Sequence, residues 1–189
     1  YKTVIIGNQV WMAENLKTTK YRDGTAIPYV TDGTVWAGMT TGAYCYFMNS
    51  TANGLIYGGL YNFYAVIDNR GLCPMGWHVP SDSEWSTLRD YLGGENVAGG
   101  KLRETGSLHW TYSNNDVNNC TGFTALAGSW RGNDGSFYYN LGHAGWWWTS
   151  SILNSSSGAL YCISGLSLVK GGGAYFYKNG GCSVRCIKD

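Results

Sequence analysis

Only 3 of the 189 residues are proline and only 13% are charged, with a formal net charge of +1. So weak a field excludes the basic stripe that gathers nucleic acid, an anionic membrane or an acidic partner. No run approaches the about 20 apolar residues that a spanning helix needs, so the chain is read as not membrane-spanning. The usual catalytic patterns are missing as well. There is no Gly-x-Ser-x-Gly, no His-Glu-x-x-His and no phosphate-binding loop. No CxxC pair and no Cys/His cluster at zinc spacing occurs, and His78, His109 and His143 stand in three separate motifs. Asp116, Asn118 and Asn119 offer oxygen atoms to calcium, but in an Asn-rich stretch of plain turn character. Glu84 and Glu104 are the one carboxylate pair worth weighing for glycoside cleavage, and Glu84 already has a capping role. Lacking a nucleophile or metal beside a base, the chain is read as no enzyme, with no catalytic residue, metal or cofactor assigned.

What is abundant is glycine, at 28 residues, and aromatic surface, with 9 Trp and 15 Tyr. Rigid amphipathic rings on a Gly-punctuated backbone are what recognition surfaces use, and they also fill cores. Six cysteines without metal spacing favour an oxidising compartment. The length suits one domain over residues 1–189.

The clearest element runs from Gly71 to Gly94. Ser81 stands three residues before Glu84, so the two side chains form a capping box. Trp85, Leu88 and Leu92 then recur on one helical face, and Gly93-Gly94 stops the helix. About three turns cannot stand alone in water, so this stripe must pack on a sheet. Thr3–Ile6, Gly7-Asn8 and Gln9–Trp11 read as a hairpin. Pro28 to Gly33 reads as short extended pieces and Gly42 to Phe47 as a strand. Leu60, Phe63, Tyr64 and Ile67 fall on one helical face, predicting a short helix over 60–67, whereas Gly99 to Gly106 reads as a polar connection. Beyond Gly122 short strands alternate with Gly and Asn: 123–126, 128–132, 145–150, 158–163, 166–169, 174–177 and 183–187. The fold class is α+β, with antiparallel sheets and long Gly-rich loops. Trp11, Leu60, Trp77, Trp85, Leu88, Phe123, Leu126, Trp147 and Val184 are expected in the core.

Seven motifs spread from end to end carry a resemblance. They are Val4-x-Ile6-Gly-Asn-Gln-x-Trp-Met-Ala-Glu-Asn-Leu16, Gly59-Leu-Tyr-Asn-x-Tyr-Ala65, Leu72-Cys-Pro-x-Gly-Trp-His-Val-Pro-Ser-Asp-x-Glu-Trp85, Ala98-Gly-Gly-Lys-Leu102, Gly122-Phe-x-Ala-Leu126, Trp147-x-x-Ser150 and Ser183-Val-Arg-Cys186. Together they resemble the Fibrobacter succinogenes major paralogous domain. The resemblance implies the C-type-lectin-like fold group, in which terminal strands pair, helices flank them and the second half forms a ligand-facing sheet. It implies a scaffold over about 1–127 and a display region over about 128–189. It also implies a secreted or surface-anchored bacterial protein, with any signal or lipid anchor upstream, as part of a longer surface or pilus-associated chain. Relatives of this fold include variable proteins diversified by retroelements, in which C-terminal codons are rewritten on a fixed scaffold. The same arrangement would bring Cys73 and Cys186 together as a disulfide closing about 110 residues; two buried thiols are the alternative.

The function read from this is a surface-displayed adhesin-like module whose aromatic and Gly-rich face binds a protein or cell-surface ligand on another cell, host or phage. Its ligand residues are expected to be Tyr138, Tyr139, His143, Trp146, Tyr161, Leu166, Leu168, Gly172, Tyr175, Phe176, Tyr177 and Asn179, since this half concentrates aromatics in Gly-flanked strands. One alternative is a carbohydrate-binding lectin, although the Glu-Pro-Asn and Trp-Asn-Asp patterns of calcium-dependent lectins are absent. Another is an oxidase like the formylglycine-generating enzymes, which use a close cysteine pair. Cys182 and Cys186 in an extended strand would lie about 13 Å apart, beyond the roughly 5.5 Å of a disulfide.

Overall fold

A computed structural model describes residues 1–112, 115–138, 141–172 and 176–189. In chain order its strands are β1 (Thr3–Ile6), β2 (Gln9–Met12), β3 (Tyr44–Cys45), β4 (Leu60–Asn62), β5 (Trp77–His78), β6 (Trp130–Arg131), β7 (Phe137–Tyr138), β8 (Ala144–Ile152), β9 (Gly158–Ser164), β10 (Ser167–Gly171), β11 (Gly181–Cys182) and β12 (Ile187–Lys188). The helices are α1 (Gly33–Ala37), α2 (Thr51–Tyr57), α3 (Phe63–Val66), α4 (Asp82–Tyr91) and α5 (Glu95–Leu102). Short helices and antiparallel sheets thus form the mixed class that the sequence implies.

The hairpin β1–β2 turns at Gly7, whose φ of +62° suits glycine. It joins the end of the chain directly, because Ile187 of β12 pairs with Trp11 on one side and with His78 of β5 on the other. The resulting order is β1-β2-β12-β5. A second sheet runs β3-β4-β11-β6-β7, and a third runs β10-β9-β8. Cys73 and Cys186 are disulfide-bonded with Cα atoms 6.1 Å apart, across 113 positions of sequence. Closing a loop of that length contributes about 4 to 5 kcal/mol by chain entropy.

α4 is built as its sequence dictates. Ser81 accepts from the Glu84 backbone while the Glu84 carboxylate accepts from the Ser81 backbone N–H at 2.7 Å. Its Trp85 and Leu88 are fully buried, and Gly93 at φ +98° follows the last turn. Of the nine expected core residues, Trp11, Leu60, Trp85, Leu88, Phe123, Trp147 and Val184 are buried, whereas Trp77 and Leu126 are only partly so.

Several local expectations differ. Residues 60–67 divide into β4 and α3, because Asn62 leaves the strand and its side-chain oxygen accepts from Ala65 N–H at 3.0 Å, starting the helix there. The stretch from Gly99 is no polar connection but the second half of α5. Its glycines serve close packing: a Cβ on Gly99 would lie 2.6 Å from the Leu166 and Ser167 carbonyl oxygens. α1 and α2 are extra helices capped by Asp32 and Ser50. Residues 123–126 contribute an isolated bridge, Arg103 to Ala125, rather than a strand. Residues 183–187 are not one strand either, since only Ile187 enters β12. Of the expected strand 174–177, residues 174 and 175 lie outside the described set, and Tyr177 bridges to Ser157.

The β10-β9-β8 sheet divides the interior. Side chains alternate, so Trp147 of β8 points to one face, and Trp146 and Trp148 to the other. On the first face Trp147, Tyr161, Ile163 and Leu168 pack against Trp85 and Leu88 of α4 and Leu102 of α5. On the second, Trp148 and Leu160 meet Phe63, Phe176 and Trp130, with Trp146 partly buried at the border.

Candidate functional site

The second face is not closed over its whole length. At the start of β8 a cavity of about 560 Å³ is lined by Arg103, Trp110, Tyr112, Gly142, His143, Ala144, Trp146, Cys162, Ser164 and Gly165. That volume lies within the range of small-ligand sites. Trp146 and Cys162 are cross-strand partners on β8 and β9, as are Ala144 and Ser164, so the register fixes one wall. Trp110 is held by its indole N–H, which donates to the Ala125 carbonyl at 3.0 Å. Tyr112 is 70% exposed, and its ring meets the edge of His143 at 6.0 Å.

Arg103 forms the base. It is 2% exposed, its guanidinium lies 4.2 Å from the Trp110 ring centroid, and burial holds its pKa below the usual arginine value. Nη1 donates to the Gly165 carbonyl at 3.3 Å and Nη2 to the Tyr112 carbonyl, while Nε has no partner. The Trp146 indole N–H is also without a partner. Burial pushes the Cys162 thiol up to about 12, so at neutral pH it is a small apolar wall group.

Beside the cavity lies an aromatic cluster. Trp130 stacks on Tyr138 at 4.9 Å and meets Phe176 at 4.8 Å, and Phe176 meets Trp146 at 5.1 Å. Tyr138 is 40% exposed and donates to Asp134 at 2.8 Å.

The expected ligand residues are therefore dispersed. His143 and Trp146 line the cavity, and Tyr138 stands next to it. Tyr161 and Leu168 are fully buried on the opposite face, where Tyr161 stacks on Trp85 at 5.3 Å, and this corrects their placement on an exposed surface. Phe176 is likewise core, 7% exposed. Leu166 lies against α5, its Cδ2 2.9 Å from where a Gly100 Cβ would be. Asn179 is a tether, donating to the Ala37 and Asn133 carbonyls at 2.8 and 3.0 Å. Gly172 (φ +145°) and exposed Tyr177 sit toward the other end of β8; a Cβ on Gly172 would approach Leu153 at 2.9 Å. Tyr139 and Tyr175 lie outside the described residues. Reasoning from sequence missed Arg103, Trp110, Tyr112, Cys162 and Ser164. Three of these precede residue 128, so the cavity crosses the expected boundary between scaffold and display region. The only available signal was Trp110-x-Tyr112 in an Asn-rich loop.

Other candidate groups are engaged elsewhere. His78 sits between Asp189 at 2.6 Å and Glu84 at 2.9 Å. His109 and Glu104 pair at 2.8 Å. The side-chain oxygens of Asn118 and Asn119 accept from Cys120 and Thr124 N–H groups, as turn residues do. Among the described residues no cluster of three His, Cys, Asp or Glu side chains is placed to hold a metal, and no helix is long and apolar enough to cross a membrane. Cys186 is committed to Cys73, and Cys182 is a fully buried thiol whose pKa burial raises well above the ordinary value.

Comparison with known proteins returns a single kind of finding. No curated protein and no solved structure matches the chain. The family described as the Fibrobacter succinogenes major domain matches residues 4–188, all but three residues at the start and one at the end. Every motif from Val4 to Cys186 falls within that span, and the chain belongs to the Fibrobacter succinogenes major domain family.

Proposed function

We propose that this chain is a non-catalytic ligand-binding module of C-type-lectin-like fold, displayed outside the cell as part of a surface protein, and that it binds a protein or cell-surface ligand through the cleft at the start of β8. The observation that carries this reading is the cleft itself. It is an open, aromatic-walled concavity of about 560 Å³ on a sheet whose other face is sealed by α4 and α5. Tyr and Trp walls give large contact area at little entropic cost. The pairing of the N-terminal hairpin with the terminal strand, and the disulfide from Cys73 to Cys186, support the lectin-like fold and an oxidising location. A buried Cys182 and a disulfide-bonded Cys186 favour binding over cysteine oxidase chemistry.

Retroelement diversification is part of the same proposal. Exposed cleft positions can change with small effect on folding, most surface substitutions falling within about 0.5 kcal/mol. A library randomising Tyr112, Tyr138, His143 and Ser164, with Trp147 and Ser183 to Cys186 held fixed, tests the reading. Members are expected to melt cooperatively within a few degrees of the parent and to yield binders to an arbitrary target such as lysozyme. Widespread unfolding, or no binder from a well-folded library, would place the site elsewhere.

A further inference from the structure

Three arginines, Arg103, Arg131 and Arg185, are at most 2% exposed, and none forms an ion pair with a described carboxylate. Two of them show how this fold satisfies a buried guanidinium with neutral groups. Arg131 donates from Nε to the Gly135 carbonyl at 2.9 Å, from Nη1 to Val30 at 2.7 Å and from Nη2 to Thr31 at 2.9 Å, over the Trp36 ring. Arg185 donates from Nε and Nη2 to the Asn15 side-chain oxygen and from Nη1 to the Phe123 carbonyl, over the Phe123 ring. In both, every nitrogen has an acceptor.

Arg103 is the exception. It has the aromatic face and two carbonyl acceptors, but its Nε is unpaired and the side chain borders an open cavity. Unpaired buried polar atoms also lie away from the cavity, at Tyr21, Trp36 and Trp85. Among the described residues, however, Arg103 carries the one unpaired buried cationic donor and it borders the cavity, so its missing partner is expected to arrive with a ligand. Resting on the cleft as the binding site, we propose that Arg103 is its anion-recognising group and that the ligand presents a carboxylate next to a flat apolar group, as a protein chain ending in an aromatic residue does.

The choice of carboxylate follows from the charge present. One guanidinium with one unpaired, buried donor matches a monovalent anion, whereas a phosphate monoester would bring about two negative charges to a single cation. His143 adds an N–H or an acceptor at the rim. The apolar body follows from the walls: Trp110, Tyr112 and Trp146 offer ring surface, and few polar side chains are present to satisfy the hydroxyls of a sugar acid.

Calorimetry with N-acetylphenylalanine, N-acetylphenylalanine amide and glucuronate tests this on the unchanged protein. The acid should bind at least about tenfold more tightly than the amide or glucuronate, and weaken as salt rises. Arg103→Lys keeps the charge but loses the planar fork, and should weaken the acid about tenfold while leaving the melt within a few degrees. If that variant unfolds, the acid-to-amide ratio of the parent decides. Equal binding of acid and amide overturns the anion assignment while leaving the cleft as a binding surface, which the library judges separately. Tighter glucuronate binding overturns the protein source, and no binding of the acid at several millimolar overturns the proposal whole.

Discussion

The two faces of the β10-β9-β8 sheet carry similar residues and meet different fates. Facing α4, Trp147 and Tyr161 are fully enclosed, and the Trp147 indole N–H donates to Asn15 at 2.8 Å. On the other face Trp146 is half-buried at a cavity and its indole has no acceptor. The arginines repeat the contrast, since Arg185 has an acceptor for every nitrogen and Arg103 does not. Aromatic content alone therefore does not mark a recognition surface in this chain. Partnering alone does not mark it either, since Trp85 on the covered face is fully buried with an unpartnered indole and Trp148 on the other face donates to the Tyr61 carbonyl at 2.8 Å. What distinguishes the two faces is the open cavity that Trp146 and Arg103 border.

Substitution of one tryptophan from each face breaks or sharpens that contrast most strongly. Trp85→Ala removes the ring that touches Trp11, Phe123, Trp147 and Tyr161 together, and should lower stability by about 3 to 5 kcal/mol. Trp146→Ala removes a half-buried ring beside existing space and should lower it by about 1 to 2 kcal/mol. Denaturant melts of the two variants check this, and equal losses would mean that both faces are structural.

A smaller effect belongs to the closed side, where the chain end is pinned. Burial disfavours the charged form of His78, but hydrogen bonds to Asp189 and Glu84 outweigh it, and the imidazole is held above its usual value. A group whose folded pKa is raised contributes stability that is full below the ordinary histidine value of about 6.5 and is lost as pH rises through the folded value. The side chain is 40% exposed, so the contribution is screened to under about 1 kcal/mol. The parent should therefore lose its small advantage over His78→Gln as pH rises above the ordinary histidine value of about 6.5 in paired thermal melts. An advantage that grows with pH would reverse the assignment. Folded-state carboxylates act in the other direction. Burial opposes ionisation of Glu84, but the Ser81 and His78 hydrogen bonds hold its pKa low, so its contribution is present above about pH 4.3 and lost on acidification.

How much of this was legible in the sequence depended on whether a signal was local. The capping box of Ser81 and Glu84, the turn at Gly7-Asn8 and the hydrophobic stripe of α4 are local, and each formed as read. Gly99 and Gly100 read as part of a polar connection because a glycine pair looks the same whether it lies in a loop or lets a helix approach a neighbouring backbone. Leu168 lies on β10, whose burial does alternate, so its inward face was legible, whereas Tyr161 was misplaced for a related reason. Strands covered on both faces lose the polar alternation that tells inside from outside, so an aromatic on β9 carries no label for its face. Arg103 lay in a stretch read as a connection, and only the fold brings it beneath Trp110, Tyr112 and Trp146. The cleft is assembled from segments some 60 positions apart, and spacing within any one of them does not encode it.

The central claim is that ligand enters on the open face and not elsewhere. Its most direct test is to follow the indole N–H resonances, assigned through single Trp→Phe variants, while N-acetylphenylalanine is titrated into the protein. The account predicts that the Trp146 and Trp110 signals move in step with a single saturable site while those of Trp85 and Trp147 stay fixed. Movement of Trp85 or Trp147 with Trp146 unchanged, or saturation with no indole moving, would contradict it.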